Sequence, residues 1–255
     1  MNNIDDVFQK IFQEKQYDSR KRLEDYLNEQ GEKQIHDLRT SIRRLEATYL
    51  IFPNSFKRKK TDNFVSIYKS IFKKSSTLRD FDVIIQKLLQ NGLTDESDSI
   101  KYLIRQKKKK IKETLKETKN VSKLKIPQIK NGNYEKIIPK YERTIFSLMQ
   151  KIQDYIPVVV SDESKIDELH FMRKTAKKLR YILEIEPNDS YRHLINSMKL
   201  LQKILGNIHD CDITINFLKK RSKKFPELKS LIIKEEEIRS QIYKKLPIIC
   251  KTEQS

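Results

Sequence analysis

The stretch IHDLRTSIRRL, residues 35–45, decides how this chain is read. At 100° per residue from Leu38, the side chains of Ile42, Leu45, Tyr49 and Phe52 all fall within about 40° of one line, the apolar stripe of a packed helix. His36, Arg39 and Arg43 collect on the far flank, at about 100–160°, and Arg44 follows Arg43 on the polar face. Ordinary solvated helix faces mix signs, because opposite charges at i,i+4 gain ~0.2–0.5 kcal/mol and like charges lose a similar amount. Arg39 and Arg43 are a like pair at that spacing.

A second copy, LHFMRKTAKKLRY, stands at 169–181. Met172, Ala176, Leu179 and Leu183 form its seam. His170, Arg173, Lys177 and Arg180 share a flank that Lys174 and Lys178 widen. At an offset of 134, His36 pairs with His170, Arg39 with Arg173 and Arg43 with Lys177. Residues 68–88 then match 198–218 at an offset of 130, pairing Lys69 with Lys199, Lys73 with Lys203, Arg79 with His209, Asp80 with Asp210 and Asp82 with Asp212. Two blocks in the same order predict a duplicated helical unit.

Working outward, the chain has only four glycines in 255 residues, and long 3.6-period runs separate the few breakers. This reads as all-α, with helices predicted near 3–29, 33–52, 58–75, 78–91, 95–120, 134–156, 163–186, 189–205, 209–222 and 227–248. PVVVS (157–161) is too short and isolated to pair as a strand and reads as a loop. The segment 121–139, with Pro127, Asn131-Gly132 and Pro139, reads as a linker between halves at 1–125 and 133–255. Each half holds enough helices for a four-helix bundle.

Lys and Arg number 54 against 35 Asp and Glu, a formal charge of +19. Self-repulsion of that size points to a polyanionic partner. Cys211 and Cys250 lack ligand spacing and read as buried thiols of a reducing compartment. No signal peptide and no apolar run of ~18 residues is seen, so a soluble, cytoplasmic protein without membrane partners is expected. No P-loop, nucleophile elbow or zinc spacing occurs; neither enzymatic activity, nor a cofactor, nor a metal site is expected.

Several features also have plain structural readings. Thr77 and Asn207 fit N-caps, which would place Asp80 and Asp210 in first helical turns. Glu235–Glu237 reads as solvated surface. Arg105, Lys109, Lys112 and Lys116 form another stripe near 101–125, without a counterpart in the second half. His36 and His170 suit a phosphate contact or the holding of a neighbouring arginine; protonated near pH 6–7, each would add charge.

Among polyanions, nucleic acid calls for aromatic stacking platforms or a reading helix. The chain has no Trp, and its basic stripes carry few aromatics. Two equivalent basic flanks suit an extended chain of phosphates.

The pattern HxxRxxxRRL at 36–45, HxxRKxxKKLRYxxE at 170–184, LRDFDV at 78–83 and LGNIHDCDI at 205–213 together resemble the CHAD domain, the conserved-histidine α-helical domain. The resemblance covers nearly the whole chain. It implies two four-helix bundles related by a pseudo-twofold axis, with a basic groove or pore that binds inorganic polyphosphate without hydrolysing it. Carried over by position, the implied contacts are His36, Arg39, Arg43, Arg44, Lys69, Lys73 and Arg79, then His170, Arg173, Lys174, Lys177, Arg180, Lys199 and Lys203. Arg105, Lys109, Lys112, Lys178 and His209 are secondary candidates. Arginine is usual in the family at position 209, so a contact there is weak or pH-dependent. Association with polyphosphate granules is a further expectation. The alternatives are sequence-independent nucleic-acid binding and a metal-dependent phosphohydrolase built on the two histidines and the Asp80/Asp82 and Asp210/Asp212 pairs.

Overall fold

A computed structural model of the chain describes residues 4–52, 59–128, 137–186 and 189–252. Among these residues every regular element is helical. They are α1 (Ile4–Asn28), α2 (Glu32–Ile51), α3 (Lys59–Lys74), α4 (Ser76–Gln90), α5 (Asp98–Ser122), α6 (Ile137–Ser161), α7 (Ile166–Leu183), α8 (Arg192–Arg221), α9 (Lys229–Tyr243) and α10 (Leu246–Thr252), with 3-10 turns at Asp189–Tyr191 and Pro226–Leu228. The all-α expectation holds. The turn signals Pro53, Asn131-Gly132 and Pro187 lie outside the described residues.

Three expectations about elements are corrected. Residues 157–161 belong to α6, with Pro157 inside the helix. Val159 is fully buried, and the Tyr243 hydroxyl donates to the carbonyls of Val159 (2.7 Å) and Val160 (3.0 Å). Burial and a capped end override the local strand preference of three valines. Residues 189–205 and 209–222 are not two helices, because α8 runs unbroken through Gly206. One glycine costs a helix about 1 kcal/mol, too little to break a packed one. Asn207 therefore caps nothing, and Thr77 lies inside α4. Conversely, the helix expected at 227–248 divides after Tyr243. Pro247 has no N–H to donate to that carbonyl, so it sits in the first turn of α10 instead. The end of α4 follows its glycine: Gly92 has φ 92°, its N–H reaches the Leu89 carbonyl and that of Leu93 the Leu88 carbonyl, a Schellman cap.

The chain forms two compact units, residues 1–79, 109–147 and 181–188 in the first, and 80–108, 148–180 and 189–255 in the second. Each draws residues from both sides of the 121–139 segment, so the units do not coincide with the sequence halves. In the first unit, α1 packs along α2 and α2 against α3. Phe12 lies between Tyr49 (ring centroids 5.6 Å) and Phe52 (5.2 Å), and Phe64 meets Tyr68 at 4.6 Å. Leu38, Ile42, Leu45 and Phe52 are fully buried, as the stripe requires. The second unit packs α8 against α9 and closes around Ile84, Leu88, Ile100, Leu103, Leu218 and Phe225. The seam residues Met172, Ala176 and Leu179 are fully buried there.

Cations also end helices. Lys140 Nζ donates to the Phe52 carbonyl just beyond α2 at 2.6 Å. Arg20 donates to the carbonyls of Ser122 and Leu124 at the end of α5. The negative pole of a helix favours such charges. Part of the chain's basic surplus is therefore structural.

Candidate functional site

In the first unit, the α2 flank faces the C-terminal half of α3. Arg39 Nη1 donates to the Phe72 carbonyl (2.7 Å) and to Ser75 Oγ (3.0 Å). The Arg39 Cζ lies 4.2 Å from the Phe72 ring centroid and that of Arg43 lies 4.7 Å away. Lys69 and Lys73, within one turn of Phe72 on α3, are both exposed. His36 is exposed at the start of the same flank.

The like-charge spacing suggests a flank without acidic partners, but three of the candidate cations meet acids. Arg44 meets Glu184 at 3.9 Å, Lys69 meets Glu46 at 3.5 Å and Arg79 meets Glu32 at 2.9 Å. Glu184 comes from a distant segment, whereas Glu32 and Glu46 lie on α2 itself and pair with cations of the neighbouring helices α4 and α3. The pairs are exposed, and such pairs are worth about 0–1 kcal/mol each. A multivalent anion can displace them.

In the second unit, Gln202 on α8 donates to the Ala176 carbonyl at 3.1 Å, which sets the register of α8 against α7. Lys199 and Lys203, on the same helix as Gln202, are both exposed. His170 and His209 face each other with Nδ1 atoms 3.3 Å apart. Burial, then the neighbouring Lys174 and Arg173, hold His170 below its ordinary range. Burial, Arg173 and the facing His170 push His209 down to about 3. Both shifts favour the neutral imidazoles, against the expectation that His170 adds charge near pH 6–7. Arg173, Lys174 and Lys177 also disfavour the protonated form of both rings, after burial. Lys178 is exposed and Arg180 half-buried on the same helix.

The secondary candidates on α5, Arg105, Lys109 and Lys112, are exposed. Their neighbour Lys107 is engaged by the buried Asp82 carboxylate. Asp212, the counterpart of Asp82, takes Arg239 Nε at 2.5 Å. In each half this aspartate holds a cation of the following helix. Asp212 also borders a cavity of about 740 Å³ that opens beside the histidine pair, with Asp167, Lys219, Glu236 and Arg239 in its wall. Glu236 is paired with Lys219 at 2.6 Å, and Glu235 is buried against Lys87. The reading of Glu235–Glu237 as unpartnered surface is corrected at these two positions. No group of three or more His, Cys, Asp or Glu among the described residues is placed to hold a metal ion. Phe72, Gln202, Lys107 and Arg239 were not singled out in the sequence, since nothing in their own spacing marks them.

The sequence profile of the CHAD domain matches residues 14–219, and the chain belongs to that family. No curated protein matches it. Among solved structures, the crystal structure of the CHAD domain from the plant Ricinus communis is similar, with a TM-score of 0.65 over 95% of this chain and 86% of that one. Sequence identity is 12%, so the likeness is one of fold. Among the described residues no helix is long and apolar enough to cross a membrane.

Proposed function

We propose that the chain binds inorganic polyphosphate without hydrolysing it, through the α2–α3 cluster (His36, Arg39, Arg43, Arg44, Lys69 and Lys73, with Arg79 at the start of α4) and the α7–α8 cluster (His170, Arg173, Lys174, Lys177, Arg180, Lys199 and Lys203). The observation that carries this reading is the like-charged pair Arg39 and Arg43 gathered over one ring, that of Phe72, at 4.2 and 4.7 Å from its centroid. Like charges held together create a local potential that a bound anion relieves. Family membership supports the same reading. Binding is driven by release of counterions and weakens steeply with salt. Lysine heads tolerate varied phosphate spacing, while the arginines supply planar forks. The hydrolase alternative is disfavoured because Asp82 and Asp212 are engaged by Lys107 and Arg239.

Competition tests the proposal. Protein held on long-chain polyphosphate near physiological salt is challenged with duplex DNA, RNA and triphosphate at equal phosphate concentration. Retention against all three is expected. Displacement by DNA would favour the nucleic-acid reading, and phosphate release on adding Mg²⁺ or Mn²⁺ would favour an enzyme. Arg39 is unsuitable as the test residue, because it caps α3. Lys174→Gln with Lys177→Gln, and separately Arg43→Gln with Lys73→Gln, should each weaken binding and lower the salt slope by about two, roughly one per lost phosphate contact.

A further inference from the structure

Two guanidinium groups one helical turn apart repel each other and would splay into water if left to themselves. Arg39 and Arg43 do not splay; both lie over the ring of Phe72, at 4.2 and 4.7 Å from its centroid. The negative face of an aromatic ring attracts a guanidinium, and the planar group stacks on it. Phe72 is half-buried at the edge of α3, outside the closed core. Its backbone carbonyl takes Arg39 Nη1 at 2.7 Å, so one residue fixes Arg39 by two routes and draws Arg43 to the same place. At the matching position of the second half stands Gln202, which hydrogen-bonds the Ala176 carbonyl instead and has no ring to offer.

From this we infer that Phe72 is a positioning residue. It turns a repelling pair of arginines into a preorganised platform for adjacent phosphates and makes the α2–α3 cluster the more rigid of the two. The inference rests on the polyphosphate reading for its ligand, but the stack itself does not depend on it. Ordering two long side chains before the ligand arrives removes an entropic cost from binding.

The test compares wild type, Phe72→Leu and Phe72→Tyr by titration with long-chain polyphosphate at two salt concentrations. Phe72→Leu should bind about tenfold more weakly, within the range of two exposed cation–π contacts, with an unchanged salt slope because no charge is lost. Phe72→Tyr should restore the affinity. A purely structural role would lower thermal stability along with affinity, so melting curves are recorded for all three. In ligand-free protein, the δ-methylene protons of Arg39 and Arg43 should show upfield ring-current shifts that vanish in Phe72→Leu and persist in Phe72→Tyr. Phe72→Leu binding within twofold of wild type, failure of tyrosine to rescue, or ring-current shifts absent from wild type would each overturn the inference. Should wild type ignore polyphosphate, the functional reading falls. The same comparison made with duplex DNA then decides the positioning role: dependence on Phe72 sustains it, and indifference to Phe72 or absence of binding overturns it.

Discussion

His170 and His209 stand face to face across α7 and α8, ring centroids 4.7 Å apart and Nδ1 atoms 3.3 Å apart. At that distance one nitrogen donates and the other accepts, so the contact holds a single proton and the rings titrate as a pair. Arg173, Lys174 and Lys177 disfavour protonation from α7, and Asp167 favours it only weakly at His170. Asp212 and Arg239, which share the cavity wall with the two rings, are already paired with each other.

The first expectation concerns pH. Both histidines have folded-state values below the ordinary 6.5, His209 near 3. The unfolded chain therefore binds more protons as pH falls from 6.5 towards 3. Stability should be fully present above pH 6.5 and decline below it, with a slope of at most about 1.4 kcal/mol per pH unit per proton. Urea unfolding from pH 7 to 4 should show this decline, and His209→Gln should flatten it. Bound polyanion favours protonation, so affinity should rise over the same interval with proton uptake measurable by calorimetry in two buffers.

Lys87 and Glu235 form a buried ion pair in the second unit, with Glu235 2% exposed at its side chain. Lys87 Nζ also donates to Cys211 Sγ at 3.2 Å, and burial pushes that thiol up to about 12. Glu235→Gln should cost about 3–5 kcal/mol by stranding the lysine charge, whereas Lys87→Met with Glu235→Leu should return close to wild-type stability. Chemical denaturation of the three variants checks both statements.

Gly206 lies inside α8, and a Cβ built there meets nothing within 4 Å. Gly206→Ala should stabilise the protein by about 1 kcal/mol, raising the melting temperature by roughly 2–4 °C for a chain of this size. Differential scanning calorimetry measures the shift.

Lys140 caps α2 rather than joining either cluster. Lys140→Met should cost about 0.5–1 kcal/mol of stability and leave both polyphosphate affinity and its salt slope unchanged. A titration beside a melting curve separates this lysine from Lys174 or Lys177.

The helical periodicity made the buried faces legible, because 3.6-residue timing is a property of the local chain. Leu38, Ile42 and Leu45, and Met172, Ala176 and Leu179, could be assigned to the core from their spacing. So could the cations opposite them. The length of α8 was not legible, since a glycine and an asparagine resemble a break until the packing that carries the helix through them is known. PVVVS misled for the same reason, as its valines take the conformation that buries Val159. Charge was only half legible. Arg20, Lys107, Lys140 and Arg239 look like surplus in a one-dimensional count, yet carbonyl oxygens and carboxylates from remote segments engage them.

By itself the sequence determined an all-α chain of the CHAD family, its basic flanks and the positions that match between its halves. These follow from local periodicity and from composition. Tertiary structure alone decided which cations stay grouped and which end helices or neutralise acids. It also decided that His170 and His209 face each other and that Arg39 and Arg43 rest on Phe72. Those outcomes depend on distances between residues well separated in sequence, as Arg39 and Phe72 are at 33 positions, and electrostatic energy at a few ångströms follows distance and burial, not order along the chain.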